Sequence, residues 1–138
     1  MTGAVVPDAS VAVKWLLEEA GSDRAREWLR TAGAICAPEL LRVETAAAIA
    51  RRFRTGSIGE DDAKERLASC FSLLSERRVR YVSDRSLLEE AARIAVQIRH
   101  NLQDCMYIAC ASRVDAVLVT ADTTLLERAA RFEFMRAL

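Results

Sequence analysis

Residues 4–17 read AVVPDASVAVKWLL and contain a short apolar run, a turn and a second apolar run. The run at 4–6 predicts a short buried strand, and Pro7-Asp8-Ala9-Ser10 predicts a turn. Residues 11–17 predict a helix that either Asp8 or Ser10 caps. A strand that leads directly into a helix is the repeating unit of parallel α/β sheets.

The same alternation of strands and helices continues along the 138 residues. Further strands are predicted at 35–37, 80–82, 116–120 and, weakly, 134–136. Further helices are predicted at 22–31, at 39–54, around the stripe Leu67, Cys70, Phe71 and Leu74, from Ser86, from Asp104 and at 122–130. This order predicts a parallel sheet covered on both faces. Because no linker or repeat interrupts it, we expect one domain over residues 1–138.

The amino-acid composition indicates a folded protein and argues against several other classes. A hydrophobic fraction of 51% with 29% charged residues is typical of a folded chain rather than a disordered one. The four cysteines lie in apolar segments and form no C-x-x-C pair. We therefore expect free thiols, with neither a disulfide nor a zinc site, in a reducing compartment, the cytoplasm. No apolar stretch is long enough to cross a membrane, and no secretory signal is predicted.

The single histidine, His100, excludes a histidine-rich metal site. The pair His100-Asn101 predicts the end of a helix, with Asn101 in the left-handed capping conformation. A structural role is therefore expected for His100.

Two aspartates follow predicted strands. Asp8 follows the apolar run at 4–6, and Asp122 follows the apolar run at 117–120. Open α/β sheets place ligands at the carboxyl ends of their strands, so both carboxylates are candidates for a functional site. The alternative for these two, and for Asp104, is a helix cap, since a carboxylate there accepts backbone N–H bonds.

Two more acidic residues lie in apolar helices. Glu44 is predicted to lie in the middle of the helix at 39–54, where its neighbours three and four residues away are all Leu or Ala. Asp104 opens the stretch 105–112, which has no charged side chain. Burial of either carboxylate is costly without a partner. For Glu44, a salt bridge to Arg51 or Arg99 is the alternative to a cation.

Together, the four carboxylates predict a metal site more specifically than any one of them does. Two strand ends and two helix turns can converge on one crevice. Oxygen ligands without histidine or cysteine favour Mg²⁺ or Mn²⁺. Such cations are suited to hydrolysis of phosphodiester bonds.

Four stretches resemble the signature blocks of PIN-domain proteins, in particular VapC-type toxins of toxin–antitoxin pairs. They are VVPDASVAVKWLL (5–17), PELLRVE (38–44), DCMYIA (104–109) and VTAD (119–122). The resemblance implies a three-layer α/β/α fold with a five-stranded parallel sheet. It also implies a Mg²⁺- or Mn²⁺-dependent endoribonuclease that forms a homodimer and is inhibited by a small antitoxin.

The same resemblance assigns roles to individual residues. Asp8, Glu44, Asp104 and Asp122 map onto the acidic quartet of the family, and Ser10 and Thr120 map onto its auxiliary hydroxyl positions. A helix cap for Ser10 and strand-end packing for Thr120 are the alternatives. Asp8, Asp104 and Asp122 are the expected main metal ligands, while Glu44 binds the metal directly or through water.

The sequence also offers candidate residues for contacts with RNA and with an antitoxin. Four basic side chains are candidates to hold the RNA backbone, although a solvated helix face is the default for each: Lys14, Arg42, Arg51 and Arg52. An antitoxin is expected in an apolar groove near the helix of Trp15 and the helix at 39–54, with an arginine inserted toward Asp8 and Asp122.

Two other functions fit part of the pattern. The first is a catalytically silent PIN domain that only binds RNA or protein, against which the complete acidic quartet argues. The second is a signalling receiver domain, which needs a phosphoacceptor aspartate after the third strand and a lysine after the last. Asp84 satisfies the first requirement, but no lysine occurs beyond Lys64.

Overall fold

The structure, a computed structural model, describes residues 3–138, and these residues form a five-stranded sheet in which every pair of neighbouring strands is parallel. The predicted fold class is therefore confirmed, including the weak last strand. The single-domain organisation stays a prediction. The strands are β1 (Ala4–Pro7), β2 (Ala34–Pro38), β3 (Val79–Val82), β4 (Val117–Thr120) and β5 (Met135–Ala137).

Seven helices connect or follow these strands within the described residues. Where a start was predicted, the observed start differs from it by no more than two residues, whereas the helix around the stripe Leu67 to Leu74 had no predicted start and begins at Glu60. The first helix begins at Ala9 because Asp8, not Ser10, is its N-cap and accepts a hydrogen bond from the N–H of Val11. The helices are α1 (Ala9–Leu16), α2 (Ser22–Thr31), α3 (Leu40–Arg54), α4 (Glu60–Leu73), α5 (Asp84–Ile98), α6 (Leu102–Val114) and α7 (Thr123–Arg128).

The order of strands in the sheet is β3-β2-β1-β4-β5. The chain first builds outward from β1 to β3, and then crosses to the other side of β1 to add β4 and β5. The carboxyl ends of β1 and β4 therefore form the point at which the strand order reverses, where open α/β sheets bind ligands. Pro7 pairs with Val119 in this register, so Asp8 and Asp122 both follow the ends of neighbouring strands at the same edge of the sheet.

Side chains of the two central strands alternate between two hydrophobic clusters, as the pleat of a strand requires. Val6 and Leu118 belong to the larger cluster, which includes most of α6. Val5 and Val119 belong to the smaller one, which includes residues of α1 and α2. Helices therefore cover both faces of the sheet, in three layers. Residues 105–111 of α6 are all buried, which confirms that this uncharged segment is enclosed by protein.

The junction between α5 and α6 differs from the prediction. Arg99, with φ 56°, takes the left-handed conformation that ends α5, whereas Asn101 has φ −67° and is the N-cap of α6. The prediction of a left-handed Asn101 is wrong because its side-chain oxygen accepts a hydrogen bond from the N–H of Asp104, one of the otherwise unpaired donors of the first turn.

Two predictions from composition concern the whole chain. The four cysteines are free and buried. In the part of the chain that the structure describes, no helix is both long enough and apolar enough to cross a membrane.

Candidate metal centre

The four predicted acidic residues lie at the ends or in the early turns of different helices. Asp8 is the N-cap of α1 and Asp122 the N-cap of α7, while Asp104 lies in the first turn of α6. Glu44 lies one turn into α3, so the prediction that it is far from either helix end is wrong. The capping alternative is confirmed for Asp8 and Asp122, and for Asp122 the cap uses only one of the two carboxylate oxygens.

Asp104 is the residue that links the four carboxylates. Ligand atoms of Asp104, Asp122 and His100 all lie within 4.8 Å of one another. The negative charge of Asp104 also contributes to raising the pKa values of both Asp8 and Glu44, behind the larger effect of burial. Among the described residues, His100, Asp104 and Asp122 form the group of potential ligand atoms, whereas Asp8 and Glu44 lie outside that group but near enough for the charge of Asp104 to raise their pKa values.

Asp8 is the most deeply buried of the four, with 4% of its surface exposed. Its Oδ1 accepts hydrogen bonds from the Ser10 hydroxyl at 2.5 Å and the Val11 N–H at 3.3 Å, and its Oδ2 accepts one from the Thr120 hydroxyl at 2.5 Å. Burial raises the pKa of Asp8 to about 6, and the hydrogen bonds from Ser10 and Thr120 offset part of that rise.

Ser10 and Thr120 also connect Asp8 to the segment that carries Asp122. The Ser10 Oγ accepts a hydrogen bond from the Ala121 N–H at 3.0 Å, and the Thr120 Oγ1 accepts one from the Asp122 N–H at 3.0 Å. The two hydroxyls therefore lie in the acidic cluster, where the sequence had predicted auxiliary positions.

Asp104 and Asp122 each use one oxygen for hydrogen bonds within the chain. The Asp122 Oδ1 accepts from the backbone N–H groups of Thr124 at 2.9 Å and Leu125 at 3.1 Å. The Asp104 Oδ2 accepts from His100 at 2.6 Å and Asn101 at 3.1 Å. The other oxygen of each carboxylate accepts no hydrogen bond from the described residues.

Glu44 is half-buried, and its Oε1 accepts a hydrogen bond from the Tyr107 hydroxyl at 2.6 Å. No salt bridge between Glu44 and Arg51 or Arg99 is present among residues 3–138, so that alternative is wrong. Burial raises the pKa of Glu44, and the bond from Tyr107 lowers it in part. The Oε2 has no hydrogen-bond partner in the described chain.

Sequence reasoning missed three residues beside these carboxylates. Tyr107 was seen only as part of an apolar helix, and His100 only as part of a helix end. Asp84 was considered only as a phosphoacceptor, whereas its carboxylate accepts a hydrogen bond from the Leu40 N–H at 3.2 Å and thereby caps α3, the helix of Glu44. The spacing of four between His100 and Asp104 is the one signal in the sequence that indicates such a contact.

An acidic centre at the switch point of a three-layer parallel sheet defines a narrow class of α/β protein. The chain belongs to the PIN domain family, because the sequence model of that family matches residues 5–131. No curated protein sequence matches the chain.

Several solved structures share the fold. PAE2754 from Pyrobaculum aerophilum has a TM-score of 0.73 at 21% identity, covering 99% of this chain and 85% of that one. Mycobacterium tuberculosis VapC20, a Sarcin-Ricin loop cleaving toxin, has a TM-score of 0.70 at 17% identity, covering 92% and 94%. VapBC2 from Rickettsia felis, bound to a DNA fragment from its promoter, has a TM-score of 0.64 at 11% identity, covering 98% of both chains. At these identities the likeness shows the fold.

Proposed function

We propose that the chain is a Mg²⁺- or Mn²⁺-dependent endoribonuclease that acts as the toxin of a toxin–antitoxin pair. One observation carries the proposal. The carboxylates of Glu44, Asp104 and Asp122 are each fixed through one oxygen while the other accepts no hydrogen bond from the described chain, and ligand atoms of Asp104 and Asp122 lie within 4.8 Å of each other. Membership of the PIN domain family and the shared fold with VapC20, a toxin that cleaves RNA in the Sarcin-Ricin loop, support it.

The donor set fits a hard divalent cation. Carboxylate oxygens from separate elements are the ligands that Mg²⁺ and Mn²⁺ take in proteins, with water and substrate phosphate completing the coordination. When bound, the cation supplies charge neutralisation at the scissile phosphate and an activated water.

Each residue of the acidic cluster would have its own role in the metal centre. Asp104 and Asp122 would hold the cation through their unbonded oxygens. Glu44 would hold it either directly or through a water, which Glu44 would then orient. Asp8 adds buried negative charge, and Ser10 and Thr120 fix its orientation.

A groove between α1 and α3 gives the RNA backbone a path to this centre. It has a volume of about 330 Å³ and is lined by Ser10 at the acidic end and by Lys14, Arg51 and Arg52. Lys14 and Arg52 both donate to the carboxylate of Glu19. Arg51 is exposed and has no ion pair within residues 3–138, so it is the basic side chain of this groove that is available to a phosphate.

Arg42, the fourth predicted RNA contact, has a different partner. Its guanidinium lies over the ring of Tyr81, 4.7 Å from the ring centroid. We therefore assign Arg42 a packing role and leave Arg51 as the main candidate for backbone binding.

We assign the antitoxin to the side of α3 that faces α4. Four of the eight side chains that line the groove between α1 and α3 are charged, and Trp15 is not among the eight. An apolar groove of about 540 Å³ instead runs between α3 and α4, lined by Val43, Ala46, Ala47, Ala50, Leu67 and Phe71 with Arg42 at the edge. We place the antitoxin in this groove, since Val43 adjoins Glu44 and an arginine of the antitoxin there lies close to the acidic centre. Homodimerisation and a cytoplasmic location stay predictions.

Cleavage of a structured RNA in Mg²⁺ tests the proposed activity. Asp122→Asn keeps the shape of the side chain but removes its charge, so we expect a loss of at least about 100-fold in rate, equivalent to several kcal/mol of lost charge stabilisation. Asp115→Asn is the matched control because Asp115 is exposed, outside the cluster and in a left-handed conformation that Asn tolerates.

The outcomes separate the candidate functions. If Asp122→Asn cleaves at the wild-type rate in saturating Mg²⁺, the assigned centre is wrong. If the wild-type chain binds RNA without cleaving it, the silent binding module is the correct function. A parallel assay on DNA establishes whether RNA is the preferred substrate.

A further inference from the structure

His100 is buried against the acidic centre, although it is the only histidine of the chain and was expected to have a purely structural role. Its side chain is 6% exposed, and its Nε2 lies 2.6 Å from the Asp104 Oδ2. The second ring nitrogen, Nδ1, is buried and has no hydrogen-bond partner among the described residues. The two nitrogens therefore have very different surroundings.

These surroundings determine where the ring carries its hydrogen. An ionised carboxylate only accepts hydrogen bonds, so Nε2 must donate to Asp104. A hydrogen on Nδ1 would bury an N–H group without an acceptor, which is costly. The contacts therefore place a hydrogen on Nε2, where it is donated to Asp104.

The same contacts argue against His100 as a metal ligand. Coordination through Nε2 would move the hydrogen to Nδ1. Histidines that bind metals almost always donate from their second nitrogen to a carboxylate, a carbonyl or water. No such acceptor faces Nδ1 in the described chain, so the structure favours a donor that supports a ligand over a ligand itself.

The backbone around His100 is fixed from both sides. Arg99 ends α5 in the left-handed conformation, and its carbonyl accepts a hydrogen bond from the Arg128 side chain. The His100 N–H donates to the Ala95 carbonyl at 3.1 Å. On the other side, Asn101 caps α6 and its Nδ2 donates to the Asp104 Oδ2. The connection between the two helices therefore holds both donors against one oxygen of Asp104.

We propose that His100 is a positioning residue, whose Nε2–H fixes Asp104 through Oδ2 and so leaves Oδ1 for the divalent cation. The inference rests on the proposed metal centre and adds to it a residue outside the acidic quartet. Its consequence is specific: the metal site needs a hydrogen-bond donor at the position of Nε2, and it needs neither an aromatic ring nor a metal-binding nitrogen.

Binding of Mn²⁺ to His100→Gln and His100→Asn, measured by titration calorimetry, tests the proposal. The Gln amide nitrogen reaches the position of Nε2, whereas the shorter Asn amide reaches only the position of Nδ1. We expect Gln to bind Mn²⁺ within about threefold of wild type and Asn to bind it about 10- to 100-fold more weakly, as for other residues that orient metal ligands. Equal affinities of the two variants would overturn the proposal.

Two spectroscopic measurements on the unaltered chain keep the test independent of how the variants fold. Nitrogen NMR of the metal-free protein should show a hydrogen on Nε2, and a ring whose only hydrogen is on Nδ1 would overturn the proposal. Pulsed EPR of the Mn²⁺-bound chain with labelled histidine should show no directly coordinated imidazole nitrogen, and a coordinated one would make His100 a ligand.

A wild-type chain that binds no Mn²⁺ would overturn the metal centre as well, which distinguishes that failure from a failure of His100 alone.

Discussion

Asp8 shows how one residue serves both the fold and the candidate site. It caps α1, and both of its oxygens accept hydrogen bonds from Ser10, Val11 and Thr120. Even so, burial raises its pKa to about 6 from an ordinary value of 3.8, with a further contribution from the charge of Asp104. The charge of Asp8 is therefore a cost to the metal-free fold.

This cost predicts a specific dependence of stability on pH. Because the pKa of Asp8 is higher in the folded chain, the folded chain binds more protons between pH 3.8 and about 6, and its stability falls as the pH rises through that window. In EDTA, Asp8→Asn should gain up to about 3 kcal/mol in unfolding free energy relative to wild type between pH 4 and pH 7, and the difference should then level off. Denaturant unfolding at each pH measures it. A difference that is constant from pH 4 to pH 8 would show that Asp8 does not carry this cost.

Side chains of helix α3 face three different surroundings. Leu41, Thr45 and Ile49 are buried in the core, and Glu44 faces the acidic centre. Val43 is 71% exposed on the side toward α4, where Phe71 is 58% exposed. Contiguous exposed apolar side chains of this kind mark surfaces that bind other proteins.

Replacing Phe71 by Glu tests whether this groove holds the antitoxin. A charge in the apolar groove must be desolvated on binding, so we expect Phe71→Glu to weaken binding to the co-expressed antitoxin at least about 10-fold in a titration with purified proteins. Val96→Glu is the matched control, since Val96 is 80% exposed on α5 and lies outside the groove. Equal antitoxin binding by wild type and Phe71→Glu would place the contact elsewhere.

Elements of this chain could be predicted from sequence better than the contacts between them. Apolar periodicity and turn residues located every strand and helix, because both signals are local. The sequence predicted an apolar groove near the helix of Trp15 and the helix at 39–54 but did not indicate α4 as one of its walls, since periodicity identifies an apolar face but not the helix that packs beside it. The left-handed position at the end of α5 was missed because it falls on Arg99 rather than on Gly or Asn.

At the scale of the whole molecule, the topology of the sheet brings the acidic residues together. Asp8 and Asp122 could be assigned to one edge of the sheet because both follow central strands, whose carboxyl ends meet at the switch point. The supporting contacts of Tyr107 and His100 could not be predicted, since each depends on the direction of a side chain across two packed helices. The sequence therefore predicted the carboxylates as site residues, whereas their contacts with Tyr107 and His100 became visible only in three dimensions.

The central claim is that these carboxylates form one cation site, and thermal unfolding across Mg²⁺ and Mn²⁺ concentrations at fixed ionic strength tests it most directly. A cation that binds only the folded chain adds about 3 kcal/mol at a concentration 100 times its Kd, which raises the Tm by several degrees in a chain of this size. We expect that rise for wild type and its loss in Asp104→Asn, because Asp104 links the four acids. A Tm that is unchanged by millimolar metal, or that rises equally in Asp104→Asn, would contradict the account.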